Sequence, residues 1–272
     1  MSTIRKGYAE TPYGQIHYRE LKRGKGPVLV LLHQTASAGQ MFEPLMNLLA
    51  DDFHTIAPDT PGFGNSFSPP PNFDILFLTS VLHAALKALG IHSCHLFGHH
   101  TGAAIAVQMA YEQPGFVQRL VLSGPPLLDE AQKNQLKASL KQIELTEDGA
   151  HLTAVWKRIR QRDPALPLEI VQREVLLTQM ARQAAPQAYQ AVFQQPFEQQ
   201  LTSLSQPTLI LSGERDTLRA SAEPAHSRLK NGRIRILLNA GPYLCEQNAS
   251  EVAQILREFL ISKTDEPKLE AN

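Results

Sequence analysis

Apolar residues arrive along this chain in short continuous blocks, separated by longer segments whose apolar positions recur every three to four residues. Val28-Leu29-Val30-Leu31-Leu32 is apolar throughout, the pattern of a strand buried on both faces of a mostly parallel sheet. Blocks at 53–57, 93–97, 117–123, 207–212 and 233–238 predict further strands. The helical period predicts helices near 41–50, 73–90, 103–110, 219–230 and 245–261, the second stopped by Gly90 as a C-terminal glycine. Ahead of these, a weakly alternating stretch turns at Thr11-Pro12-Tyr13-Gly14 into the strand Gln15–Leu21, predicting an antiparallel hairpin. Regular strand–helix alternation predicts an α/β fold, a doubly wound parallel sheet with right-handed crossovers. Between 127 and 200 the rhythm changes: no strand block appears, and Pro164, Pro167, Pro186 and Pro196 punctuate several helices. The expected organisation is a core of 1–126 and 201–262, a helical cap at 127–200, and a flexible tail at 263–272.

Charge narrows the class of partner. With 26 Lys+Arg against 26 Asp+Glu, no electrostatic footprint for nucleic acid or acidic lipid is expected. No apolar run approaches the length of a membrane span, and Met1–Gly7 lacks the apolar region of a signal peptide. Cys94 and Cys245 lie far apart, and Cys94 falls in a predicted buried strand, which favours a reducing compartment. A cytoplasmic protein acting on a small molecule is expected, with no nucleic acid or membrane partner. No feature fixes an oligomeric state.

The chemistry gathers at Gly98-His99-His100-Thr101-Gly102, between a predicted strand and a predicted helix. Two glycines four apart at such a junction form the frame of a nucleophile elbow, a sharp turn that lifts its central side chain above the sheet edge. The central residue is normally serine; here it is His100. Three other segments fall in order around it: His33-Gln34-Thr35, with Phe42 following; Asp59-Thr60-Pro61-Gly62-Phe63-Gly64-Asn65-Ser66; and Ser212-Gly213-Glu214-Arg215-Asp216. Together the four resemble the oxyanion loop, the D-x-PG-x-G-x-S loop, the elbow and the acid turn of the α/β-hydrolase superfamily. The resemblance runs along nearly the whole chain, helical cap included. It implies that fold, and Asp216 as the triad acid.

Two departures fall at catalytic positions. His100 stands where the family has its nucleophile. Gly241-Pro242-Tyr243-Leu244-Cys245-Glu246-Gln247 puts Pro242 where the family has its histidine. A smaller one is Gln34 in place of the common glycine. A Ser-His-Asp mechanism is thereby excluded, unless a serine or histidine from elsewhere enters the site. Serine needs a base because its hydroxyl is a weak nucleophile, whereas an imidazole titrates near neutrality and needs none. An imidazole on the elbow also reaches further than a serine hydroxyl. The expectation is therefore an Asp216–His100 dyad, the carboxylate fixing the ring's tautomer and the far nitrogen facing the pocket.

Such a dyad has two uses. As a nucleophile, His100 would form an acyl-imidazole that water hydrolyses. As a general base it would take a proton, with the Thr35 and Thr101 amides holding the developing oxyanion. The leading expectation is a cofactor-free enzyme hydrolysing an ester-like bond in a small, mostly uncharged carbonyl compound. A lyase or isomerase using the same base, and a binding protein that lost the chemistry, stand as alternatives. His33 is expected to orient the oxyanion loop, Gln34 to share that loop, and His99 to pack below the elbow. Trp156, Phe193 and Tyr243 are expected to line a cap-side pocket or pack as aromatic core, and Ser37 to offer a polar contact. Cys245 reads as buried core. No metal is expected, because adjacent elbow histidines point apart and no H-x-x-x-H spacing exists.

Overall fold

The computed structural model describes residues 3–140 and 144–261; the polar tail expected at 263–272 lies outside the described residues. The predicted hairpin forms β1 (Arg5–Thr11) and β2 (Gly14–Leu21), paired antiparallel. Thr11 closes its turn, the hydroxyl donating to the Gly14 carbonyl at 2.6 Å. β2 pairs antiparallel with β4 (His54–Pro58). Every other pairing is parallel, through β3 (Val28–Leu32), β5 (Cys94–His99), β6 (Val117–Ser123), β7 (Thr208–Gly213) and β8 (Gly232–Leu237). The spatial order β1-β2-β4-β3-β5-β6-β7-β8 makes an eight-stranded, mostly parallel sheet.

Strand pleating explains why the apolar blocks are continuous. Successive side chains leave a strand on opposite faces, so Leu29 and Leu31 join one core cluster while Val30 and Leu32 join the other. Leu120 and Leu122 are split from Val121 in the same way, and Ile210 from Leu209 and Leu211. Helices cover both faces, and each buried aliphatic side chain contributes about 1.5–3 kcal/mol of burial. α1 (Glu43–Leu49) packs on one face, entered through a 3-10 turn at Gly39–Phe42. α2 (Ile75–Ala88) and α3 (Thr101–Glu112) pack on the other.

The segment between β6 and β7 holds α4 (Glu130–Ser139), α5 (Ala150–Arg162), α6 (Leu168–Ala181), α7 (Ala184–Gln194) and α8 (Phe197–Ser203). A buried amide chain ties it to the elbow helix. Gln195 donates to the Ala104 carbonyl at 3.0 Å and to Gln200 at 2.7 Å, and Gln200 donates to Gln108 at 2.6 Å. After β7 come α9 (Ala222–Ser227), α10 (Leu244–Gln247) and α11 (Ala249–Leu260). The continuous helix expected at 245–261 is thus two, because the chain leaves helical geometry at Asn248 (φ −118°, ψ 27°). The helix expected near 219–230 shortens to α9 behind a 3-10 turn.

The parallel strands all end on one edge. β3 runs into His33, β4 into Asp59, β5 into His100, β6 into Gly124 and β7 into the turn holding Asp216. In open α/β sheets that carboxyl edge is where ligands bind. No helix among the described residues is long and apolar enough to cross a membrane.

Candidate active site

The elbow exists because two strands and a helix crowd one point. A Cβ at Gly98 would collide with the Gly102 carbonyl, and one at Gly102 with the Leu32 carbonyl of β3. Between them His100 is held at φ 49°, ψ −108°. A non-glycine residue in that region is strained, and such strain concentrates at functional sites. Its amide is anchored to the Ser123 carbonyl of β6 at 2.9 Å.

From that tip the His100 ring reaches Asp216. Nε2 lies 2.9 Å from Oδ1 and 3.0 Å from Oδ2. A carboxylate only accepts, so Nε2 donates to it, and in the neutral ring the lone pair is on Nδ1, to which no described residue bonds. Asp216 is held by its own turn, accepting the Leu218 amide at 2.7 Å. Burial works to raise its carboxyl, but the neighbouring His100 charge and hydrogen bond outweigh burial and hold it at about 2. Gly124 makes the pairing possible. At φ 56°, it sits where a Cβ would fall 2.6 Å from His100 Nε2 and 3.3 Å from Asp216 Oδ2. The sequence pattern marks Gly124 only as a strand end; its signal was the proline pair behind it, which gives no hint of the ring beside it.

Beneath the tip, His99 is fully buried, its ring stacked on His100 at 4.2 Å between centroids. Its Nε2 meets the Pro242 carbonyl at 2.8 Å and its Nδ1 the Ser123 hydroxyl at 2.9 Å. The carbonyl requires a donor, so Nε2 is protonated and Nδ1 accepts from Ser123. Burial, reinforced by the His100 charge, pushes His99 down to about 3. His99 therefore packs below the site, as its place in the motif implies, and does not line the pocket. The two elbow histidines stack rather than point apart as expected, and with Asp216 they bring possible ligand atoms within 4.8 Å of one another. With both His99 nitrogens engaged and His100 Nε2 on the carboxylate, the set is not disposed to hold a cation.

His33 is likewise a brace. It accepts the Thr60 amide on Nε2 at 2.9 Å, so Nδ1 donates to the Gln34 carbonyl at 2.8 Å. That joins the oxyanion loop to the loop led by Asp59. Asp59 is fully buried and accepts from the Gly39 amide at 2.8 Å, the Asn65 amide at 3.0 Å and His17 at 2.8 Å. Thr35 and Thr101 hydroxyls meet at 2.8 Å and bind the loop to the elbow. Neither the Thr35 nor the Thr101 amide donates to an acceptor among the described residues.

The pocket above is a cavity of about 340 Å³. Gln34, Thr35, His100, Thr101 and Tyr243 line it, with Phe193 from α7. His33 and His99 do not, and nor does Trp156. On α5, Ile159 and Arg162 face the cavity, while Trp156 packs against a small cluster that includes Val155, Val171 and Val175 together with the cavity-lining Ile159 and Tyr243. Ser37 donates to Glu174 of α6 at 2.9 Å. Glu174 is paired with Arg173 at 2.7 Å, and Arg173 reaches Glu246 at 2.8 Å. Burial pushes the Glu174 carboxyl up, against the pull of Arg173. No pattern in the sequence announces this buried network. Cys245 is fully buried, its thiol pushed up by burial, and no serine or cysteine is among the described residues lining the cavity.

Known proteins place the fold. A sequence profile of the alpha/beta hydrolase fold matches residues 27–249. The 2-(acetamidomethylene)succinate hydrolase of Mesorhizobium japonicum is 28% identical over 160 residues, covering 58% of this chain and 56% of that protein. The soluble epoxide hydrolase of Corynebacterium sp. (strain C12) is 31% identical over 108 residues, covering 40% of this chain and 37% of that one. The matched stretch thus spans about half of these curated relatives or less. The crystal structure of a hydrolase from Pseudomonas aeruginosa PA01 superposes with a TM-score of 0.80 at 20% identity, covering 94% of this chain and 98% of that one, a likeness of fold. The chain belongs to the alpha/beta hydrolase fold family.

Proposed function

We propose that this member of the family hydrolyses an ester-like bond in a small carbonyl compound, without a serine nucleophile and without a cofactor, using His100 and Asp216. The observation that carries the reading is the His100 ring: strained at the elbow tip, lining the cavity, bound through Nε2 to a buried carboxylate, with Nδ1 lacking a partner among the described residues. Nδ1 adjoins the carbon that attaches the ring to the chain, so it is the more hindered of the two ring nitrogens. A proton reaches it more readily than an acyl carbon does, which favours a base over a nucleophile.

In this mechanism water gives a proton to Nδ1 while its oxygen bonds to the carbonyl carbon. Asp216 stabilises the imidazolium that forms, and the Thr35 and Thr101 amides hold the oxyanion. Collapse of the tetrahedral species breaks the bond to the leaving oxygen, which takes the proton back from Nδ1. The products are an acid and an alcohol. Helices α4–α7 and the first turn of α8 serve as a cap, residues 127–200, over a core of 1–126 and 201–262, and screen the reaction from bulk water. Hydrolysis is also the reaction named for the Mesorhizobium and Corynebacterium relatives.

Turnover of short activated esters tests the reading. Wild type is expected to show saturable hydrolysis that His100→Ala lowers by about 10²–10⁴-fold, the usual worth of a positioned general base. Free imidazole cleaves such esters slowly without saturation, so only saturable turnover counts. Equal saturable rates in both proteins would remove the proposal.

A further inference from the structure

We infer that the cap-side wall of the cavity is a carboxylate-recognition site, so that the substrate is an acyl compound carrying a carboxylate, held by Arg158, Arg162 and Arg182. This deepens the reading of the cavity as the reaction chamber and replaces the mostly uncharged compound that balanced composition suggests. All three arginines line the same cavity as His100. Arg158 and Arg162 lie one turn apart on α5, hence on one helix face. Arg182 stands at the end of α6.

Among the described residues no free counter-charge lies beside them; Arg158 is half-buried, while Arg162 and Arg182 are exposed. None of the three makes an ion pair or side-chain hydrogen bond to a described residue. The one carboxylate among the described lining residues, Glu174, is already engaged by Arg173 and Ser37. Guanidinium groups do not escape by losing a proton, and like charges one turn apart repel. Burial, and next the Arg162 charge, hold Arg158 below the ordinary arginine range, as expected of a cation lacking its partner. The chain as a whole is charge-balanced, so the excess is local.

Arg182 adds an independent sign. It closes α6 at φ 26°, ψ −101°, a left-handed position where glycine is the ordinary residue. A local rule broken at a cavity wall, with no folding gain visible, points to function. The chemistry of the ligand follows from the wall. A guanidinium fork matches the two oxygens of a carboxylate, while Leu128, Leu136, Ile159 and Phe193 provide apolar surface for a short carbon skeleton. No lysine or glycine is among the described lining residues to build a phosphate cradle.

Binding to His100→Ala protein, measured by calorimetry, tests this without turnover, so loss of the hydrolytic reading and loss of this one are distinguishable. Succinate is the probe, with the neutral diamide succinamide and inorganic phosphate as comparisons. Succinate is expected to bind, succinamide not, and Arg158→Gln in the same background to weaken succinate by about tenfold or more, the scale of a charge-assisted pair. Arg182→Gln is expected to weaken it less, by about threefold, being more exposed. Unchanged thermal midpoints would confirm that both variants fold. Succinamide binding as well as succinate, succinate binding indifferent to the arginines, or phosphate binding more tightly than succinate would each overturn the assignment.

Discussion

Two adjacent histidines divide the elbow into regions with opposite properties. At its floor, His99 is fully buried and both ring nitrogens are satisfied, by the Pro242 carbonyl and the Ser123 hydroxyl. At its tip, His100 lines a cavity with one nitrogen on Asp216 and the other without a partner among the described residues. The rings are stacked 4.2 Å apart, so proximity to the sheet does not separate them. Hydrogen-bond completeness does. A saturated buried imidazole is part of the framework; a half-saturated one at a cavity is equipped to move a proton. The Pro242 carbonyl also gives the floor a partner at the position where the family carries its own histidine.

Substitutions that strike one region and spare the other sharpen this contrast. The largest effect after loss of His100 itself is expected from Gly124→Ala. Its methyl would occupy the space beside His100 Nε2 and turn the ring from Asp216. Displacing a reacting group by about 1 Å costs on the order of 100-fold in turnover, to be read in kcat on an activated ester. The positive φ costs about 1–2 kcal/mol of stability besides. His99→Phe should do the reverse. It strands the Pro242 carbonyl and the Ser123 hydroxyl in a buried site, costing about 3 kcal/mol in urea unfolding. Turnover per folded molecule should fall far less than in His100→Ala.

The smallest effect is a slope. His99 holds its proton only below about 3 when folded, whereas an unfolded histidine binds one near 6.5. Between those values the unfolded state carries the extra proton, so stability rises with pH and is lost progressively as pH falls below 6.5. The His99 component amounts to about 1.4 kcal/mol per pH unit. Urea unfolding at several pH values between 4 and 6.5 should show a profile flatter by that amount in His99→Phe. Asp216, held at about 2, acts in a lower window: its contribution is present above about 3.9 and lost as pH falls through 2.

The sheet was legible because strands covered on both faces must be apolar at every position, as Val28–Leu32 is. The elbow was legible from Gly98 and Gly102, whose spacing answers a collision between backbones. His100 and Asp216, 116 residues apart, were readable as neighbours because consecutive parallel strands deliver their loops to one edge. What was not readable depends on how helices pack. Trp156 and Ile159 share α5, yet only Ile159 faces the cavity, and periodicity alone does not say which face meets the core. Nor does composition reveal local charge: equal totals of acid and base conceal three arginines around one cavity. The ring edge presented to Asp216 and the need for Gly124 are set by the backbone at two strand ends that sequence spacing does not relate.

The central claim is that His100 and Asp216 work as one unit, and a double-mutant cycle measures it directly. Specificity constants for an activated ester are compared in wild type, His100→Ala, Asp216→Asn and the double variant. Each single substitution is expected to lower kcat/KM by about 10²–10⁴-fold, and the double variant to fall no further than His100→Ala, since residues acting as a unit are not additive. Wild-type turnover in Asp216→Asn, or losses that multiply in the double variant, would contradict the dyad.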